Sequence, residues 1–260
     1  KLLDVHDVLN GARPVFFPRN TGREAMQFYL TAALIRLAPL TISHLALKVG
    51  TALVSIVTVP LAFLLGRSIY GRRVGLLAAG LVALSRWHVA ISRVGLRFPF
   101  TPLFAVLVMT FLFRAFRHNR RNDWLACGIA LGAGLHSYTA VRMLPLLLVV
   151  LILAKAGFDL VERRRGARNV VERQGGYSER TALSGRFWIN AVLGALASLL
   201  IFLPLLRYMW EHPDMFWYRV RTRVAEAERT LPAEPLRVFV VNVKDALLMF
   251  NYEGGPVWVN

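Results

Sequence analysis

Four groups of side chains have types and spacings suited to chemistry. Asp4, His6 and Asp7 form the first. On a helix, Asp4 and Asp7 share a face, three positions apart. A carboxylate pair beside an imidazole can take up a proton or bind a metal, with His6 a candidate ligand. The same acidic residues also suit the positive start of a solvated helix. The second group is Glu24, in Gly22-Arg23-Glu24, at the opening of an amphipathic helix. A carboxylate held at a membrane surface can serve a reaction there, or it can simply favour the helix N-terminus. Arg93 and Arg97 form the third group, spaced by four, and on a helix they would face one way. Their guanidinium forks suit phosphate oxygens, and together with Trp87 they equally suit interfacial anchoring. His136, Tyr138 and Arg142 form the fourth and close one hairpin. They line a polar cavity or mark the interface. No P-loop, Rossmann glycine motif, His-Glu-x-x-His or Gly-x-Ser-x-Gly elbow is present, so chemistry driven by a soluble nucleotide is not supported.

The elements that must position these residues are apolar. Of 260 residues, 56% are hydrophobic, and mean hydropathy is +0.48. The apolar residues fall into blocks of roughly 15–20, with the charges gathered between them, as expected where the bilayer is the apolar solvent. The net charge of +17 would suggest nucleic acid in a soluble chain. Here the arginines crowd the ends of apolar blocks, the pattern of cytoplasmic loops, and no nucleic-acid motif accompanies them. No nucleic-acid partner is expected. Cys127, the only cysteine, cannot form an internal disulfide and reads as a packed core thiol.

Residues Asp4 to Leu9 read as one short helix, and the turn-formers up to Gly22 read as loop. From Glu24 to Pro39, Met26, Tyr29, Leu30, Ala33, Leu34 and Leu37 recur at helical spacing. Charges at Glu24 and Arg36 leave about 17 Å of helix between them, too short to span. An amphipathic helix lying in the interface is expected. Six spans follow, near 49–66, 74–91, 99–113, 124–140, 143–158 and 187–206. The predicted fold class is an all-α integral membrane protein, a polytopic bundle of about six transmembrane helices plus the interfacial helix.

Basic residues set its direction. Loops carrying Arg67–Arg73, Arg114–Arg121 and Lys155–Arg186 are far richer in Lys and Arg than those carrying Arg86–Arg97 and Arg142. The first set is expected on the cytoplasmic side. That places the N-terminal loop, Arg93, Arg97, Tyr138 and the tail outside. The expected organisation is an outer loop with short and interfacial helices over 1–43, a transmembrane bundle over 44–207 with a basic cytoplasmic loop at 159–185, and an outer segment from 208 to 260. Aromatics in that tail (Trp210, Phe216, Trp217, Tyr218) beside His212, Arg219 and Asn251–Pro256 suit sugar binding or a membrane-facing belt. The pattern stops abruptly at both ends, and a fragment is expected.

The order of motifs resembles bacterial family-39 glycosyltransferases, membrane enzymes of the GT-C class similar to protein mannosyltransferases and to the aminoarabinose transferase of lipid A. The resemblance rests on the run Asn10–Glu24, on Gly66-Arg67 with Gly71-Arg72-Arg73, and on Ser85–His88 with Ser92-Arg93 and Arg97. Gly134–Tyr138 with Arg142–Pro145, and the closing Phe250–Trp258, complete the series. It covers nearly the whole chain, and the series is more specific than any single piece. It implies a sugar arriving on a polyprenyl-phosphate carrier, a lipid, glycan or protein acceptor, and an outer-loop carboxylate as base. Arginines would stabilise the departing phosphate. It also implies a multi-pass protein of the plasma membrane whose active face is periplasmic or extracellular. Glu24 matches an acidic position that in some relatives helps bind a divalent metal or position the acceptor. The usual Asp-Glu pair is not in these residues. By the family's spacing it would fall just before Lys1, and otherwise Asp4 or Asp7 takes its role.

Two other readings remain. A transporter or lipid flippase would show ionisable residues mid-span or helices broken at membrane depth. A non-catalytic membrane subunit would only scaffold partners.

Overall fold

The computed structural model describes residues 1–19, 22–164 and 184–216, together with Arg237, Val240, Val241 and Lys244. The tail aromatics Trp217 and Tyr218, Arg219, the Asn251–Pro256 and Phe250–Trp258 stretches and most of the basic loop lie outside the described residues. Residues Lys1–Phe216 form one compact unit, and Trp217–Asn260 a second.

The first unit opens with α1 (Leu2–Leu9) and a small antiparallel hairpin, β1 (Phe16–Phe17) and β2 (Arg23–Glu24), in register Phe16 with Glu24 and Phe17 with Arg23. The hairpin turns through Gly22 at φ +82°, where a Cβ would strike the Phe16 ring at 2.5 Å. Only glycine fits there. The sequence reading treated this stretch as loop. Two-residue strands carry too little alternation to be seen in a sequence.

Helix α2 (Met26–Leu37) follows. Its 12 residues are about 18 Å long. It begins two residues after Glu24, so Glu24 is a strand residue and does not cap the helix. One face, Gln27, Phe28, Thr31 and Ala32, is buried against α1 and the following helix, in a cluster with Val5, Val8, Phe17 and Leu47. Tyr29, Ala33 and Leu37 face outward.

The bundle comprises α3 (His44–Tyr70), α4 (Arg72–Leu84), α5 (Arg86–Arg93), α6 (Phe100–His118), α7 (Arg121–Leu135), a 3₁₀ turn (Thr139–Met143), α8 (Leu144–Arg164) and α9 (Gly185–Glu211). The fold is an all-α, polytopic membrane architecture. Among the described residues, four helical stretches are long and apolar enough to cross a bilayer: α3, α6, the 3₁₀ turn running into α8, and α9. Helices α4 and α5, bent by 52° where they meet, make a fifth when the pair is counted as one span. The sequence predicts one straight span there. Ser85 divides it, because its side-chain oxygen accepts from His88 N–H and caps a new helix. The span expected at 124–140 becomes α7, whose 15 residues reach about 22 Å.

Side chains facing inward form a core around Phe104, Val108, Leu112, Trp124 and Phe187, with Trp124 edge-on to Phe187 at 5.0 Å. Leu81, Leu196 and Leu200 point outward and are exposed, as suits a lipid solvent. Helices α7 and α9 touch backbone to backbone. A Cβ on Gly132 would meet the Ser198 carbonyl at 2.7 Å, and one on Gly194 the Trp124 carbonyl at 2.7 Å. Gly128-x-x-x-Gly132 therefore lets the two helices approach closely.

Candidate functional site at one end of the bundle

The hairpin, the α5–α6 link and the 3₁₀ turn converge. Strand alternation points Glu24 inward, where it is 2% exposed. Helix α5 ends at Arg93, and Gly95 turns the chain at φ +68°. Arg97 thereby swings into the interior, 6% exposed, with Nη1 2.7 Å from Glu24 Oε2. The 3₁₀ turn brings Arg142 Nη2 to 3.0 Å from Glu24 Oε1, which also accepts from the Thr139 hydroxyl at 3.0 Å. Aromatic rings flank both arginines. Tyr138 lies 5.5 Å from the Arg97 guanidinium, and Phe216 lies 4.4 Å from that of Arg142. Phe98 packs edge-on to Tyr138 at 5.3 Å.

This arrangement is a triad, one carboxylate between two guanidiniums, with Glu24 and Arg97 buried and Arg142 partly so. Both carboxylate oxygens are engaged, so the carboxylate's main effect is to hold the arginines in place. Buried charges persist only when paired in this manner. Arg142 Nε is buried and has no hydrogen-bond partner among the described residues.

The expected Arg93–Arg97 pairing on one helical face does not occur. Arg93 is exposed at the end of α5, and the Gly95 turn interrupts the helical register before Arg97. His136 takes a different position from Tyr138 and Arg142. Its Nε2 lies 2.9 Å from the Ile201 carbonyl of α9 and donates to it, in the turn loosened by Pro204. Its carbonyl accepts from Met26 N–H at 3.4 Å, so His136 joins α7, α9 and α2. His88 is likewise packed, with Nε2 3.2 Å from the Ser55 carbonyl.

Asp4 and Asp7 do share a face of α1, and Arg19 bridges them, 3.4 Å from Asp4 and 2.6 Å from Asp7. Asp4 is fully buried. His6 is exposed and contacts Asp7 at 4.0 Å and Asn10 at 3.1 Å. Among the described residues, no three His, Cys, Asp or Glu side chains gather to hold a metal. Glu24 faces guanidiniums and His6 faces solvent, so the two candidate ligands do not fit a metal site together.

Sequence reasoning passed over Thr139 and Arg19. Thr139 directly follows Tyr138 in a stretch already singled out, and Arg19 is one arginine among many.

The family model described as dolichyl-phosphate-mannose-protein mannosyltransferase matches residues 25–164, just over half of the chain. The chain belongs to this family. Its members are membrane glycosyltransferases, and the helical bundle described above suits that class. The matched region holds Arg97, Thr139 and Arg142, while Glu24 stands immediately before it. No curated protein and no solved structure matches the chain.

Proposed function

We propose that this membrane glycosyltransferase moves a sugar from a polyprenyl-phosphate donor to a lipid, glycan or protein acceptor on the outer face of the membrane. The observation that carries the reading is the convergence of Arg97 and Arg142 on buried Glu24 at one end of the bundle. In transfer, the bond between the sugar's anomeric carbon and the phosphate oxygen breaks. A bond from the acceptor oxygen forms, and the acceptor's proton passes to a base. Negative charge grows on the departing phosphate. Guanidinium donors held in advance are the groups that stabilise such charge without reorganising. Glu24 serves as a positioning residue, fixing both arginines. Arg142 Nε, which has no hydrogen-bond partner among the described residues, supplies a donor for the ligand.

The charge count supports the sidedness. The triad lies among the Lys/Arg-poor loops, while the Arg67–Arg73 and Arg114–Arg121 turns are at the other ends of their helices. The base is the Asp-Glu pair that the family carries early in this loop, or else Asp4 or Asp7. A plasma-membrane location is part of the same proposal.

The test is transfer from a polyprenyl-phosphate-linked sugar by the full chain in detergent or vesicles. Arg97→Ala and Arg142→Ala should retain the fold and lose transfer. Undiminished rates in both would remove the phosphate role.

A further inference from the structure

Glutamine side chains are mostly found in contact with water. Gln27, in the first turn of α2, is 2% exposed. Its Nε2 donates to the Gly95 carbonyl at 2.9 Å, across 68 positions of the chain. Lys1 Nζ also approaches that oxygen, at 3.3 Å, from a part-buried position. Gly95 lies in the link between α5 and α6, where no backbone N–H among the described residues takes up its carbonyl. A buried carbonyl needs a donor, and the Gln27 amide is one.

The turn is fixed on its other side as well. Gly95 holds φ at +68°, and a Cβ there would press on Lys48 Cγ at 3.3 Å and Leu47 Cβ at 3.4 Å. Two residues later, Arg97 meets Glu24. Two contacts therefore run side by side. Glu24 grips Arg97, and Gln27, three positions after Glu24, grips Gly95, two positions before Arg97. An ion pair alone leaves a long side chain free to pivot about the contact. A second contact, made to the backbone, fixes where that side chain starts. The same turn of α2 is itself tied down. The Thr31 hydroxyl donates to the Gln27 carbonyl at 2.8 Å, and Met26 N–H to the His136 carbonyl at 3.4 Å. An apolar side chain of similar size would fill this position without desolvating an amide. What the amide adds is the placement of the Gly95 turn.

We infer that Gln27 is a positioning residue: by holding the Gly95 carbonyl, it sets the backbone from which Arg97 reaches Glu24. What Arg97 does for a substrate rests on the transfer reading above, whereas how Arg97 is held does not. A displaced guanidinium loses charge stabilisation realised only in the transition state, so Gln27 controls kcat rather than KM.

The full chain in detergent is compared with Gln27→Met, which keeps the length of the side chain and removes its donor. In the transfer assay, Gln27→Met should lower kcat about tenfold to a hundredfold, the scale of a small misplacement, and leave KM within about twofold. In an Arg97→Ala background the same change should alter kcat by less than about twofold, because both losses take one route. A merely structural glutamine would give losses that multiply. The second readout needs no activity. With isotope-labelled arginine, the Arg97 Nε–H signal in the nitrogen NMR spectrum is identified by its loss in Arg97→Ala. It should shift or broaden in Gln27→Met, while the signal of Arg114, paired with Asp123, stays in place. Multiplying losses in the double variant, or an Arg97 signal unmoved by Gln27→Met, overturns the inference. Absence of transfer by wild type would overturn the transfer reading alone, and the Arg97 signal would then decide the inference by itself. Should Gln27→Met fail to fold, Gln27→Asn, which keeps the amide but withdraws it by one methylene, is read in the same way.

Discussion

Arg97 Nη1 lies 2.7 Å from Glu24 Oε2, although 73 positions separate the two residues in the chain. The pair is almost wholly removed from solvent. Removing Arg97 still leaves Glu24 with Arg142, whereas removing Glu24 takes the carboxylate from both guanidiniums in a low-dielectric setting.

Glu24→Ala should therefore destabilise the protein by about 3–5 kcal/mol, since two guanidiniums lose their carboxylate. Thermal unfolding in detergent would show it. A variant that melts with wild type would mean that water reaches the triad freely.

The two arginines of the Arg93–Arg97 segment should separate in a transfer assay. Arg97→Ala is expected to lower kcat/KM about a hundredfold, the scale of one lost preorganised donor. Arg93→Ala, altering an exposed side chain, should change it little. Equal losses would restore the helical-face pairing that Gly95 disrupts.

Helices α7 and α9 make a prediction unrelated to chemistry. Gly132→Val or Gly194→Val must force the two backbones apart. Either should cost about 1–3 kcal/mol or more, the range for overpacking a tight contact. Gly157→Val, where a Cβ meets open space, is the control, and comparing the three melting temperatures reads the effect directly.

Much of this architecture was legible in the sequence because hydrophobic length is a strong signal. The apolar runs at 49–66, 99–113, 143–158 and 187–206 correspond to helices, and Cys127 is buried as its surroundings indicate. What was illegible depends on single residues that redirect the chain. Ser85 splits one run by capping, and Gly95 turns Arg97 away from Arg93. Neither event changes the hydrophobic pattern that reveals a span. The site was visible as a set of residue types, Glu24, Arg97, Tyr138 and Arg142, but not as a constellation. Nothing in one sequence says which of the many arginines will face a given carboxylate. Local reasoning assigned Glu24 to the nearest helix start, and long-range packing gave it two arginines instead.

The triad also has a history during synthesis. Glu24 is made early and Arg142 late. At roughly 5–20 residues per second, the 118 positions between them take about 6–24 s to translate. Throughout that interval the carboxylate has at most Arg97 for company. The hairpin that bears it must wait while helices α3 to α7 are made. A chain arrested before the 3₁₀ turn would carry Glu24 without its second arginine, giving quality-control proteases a specific feature by which to recognise an unfinished molecule.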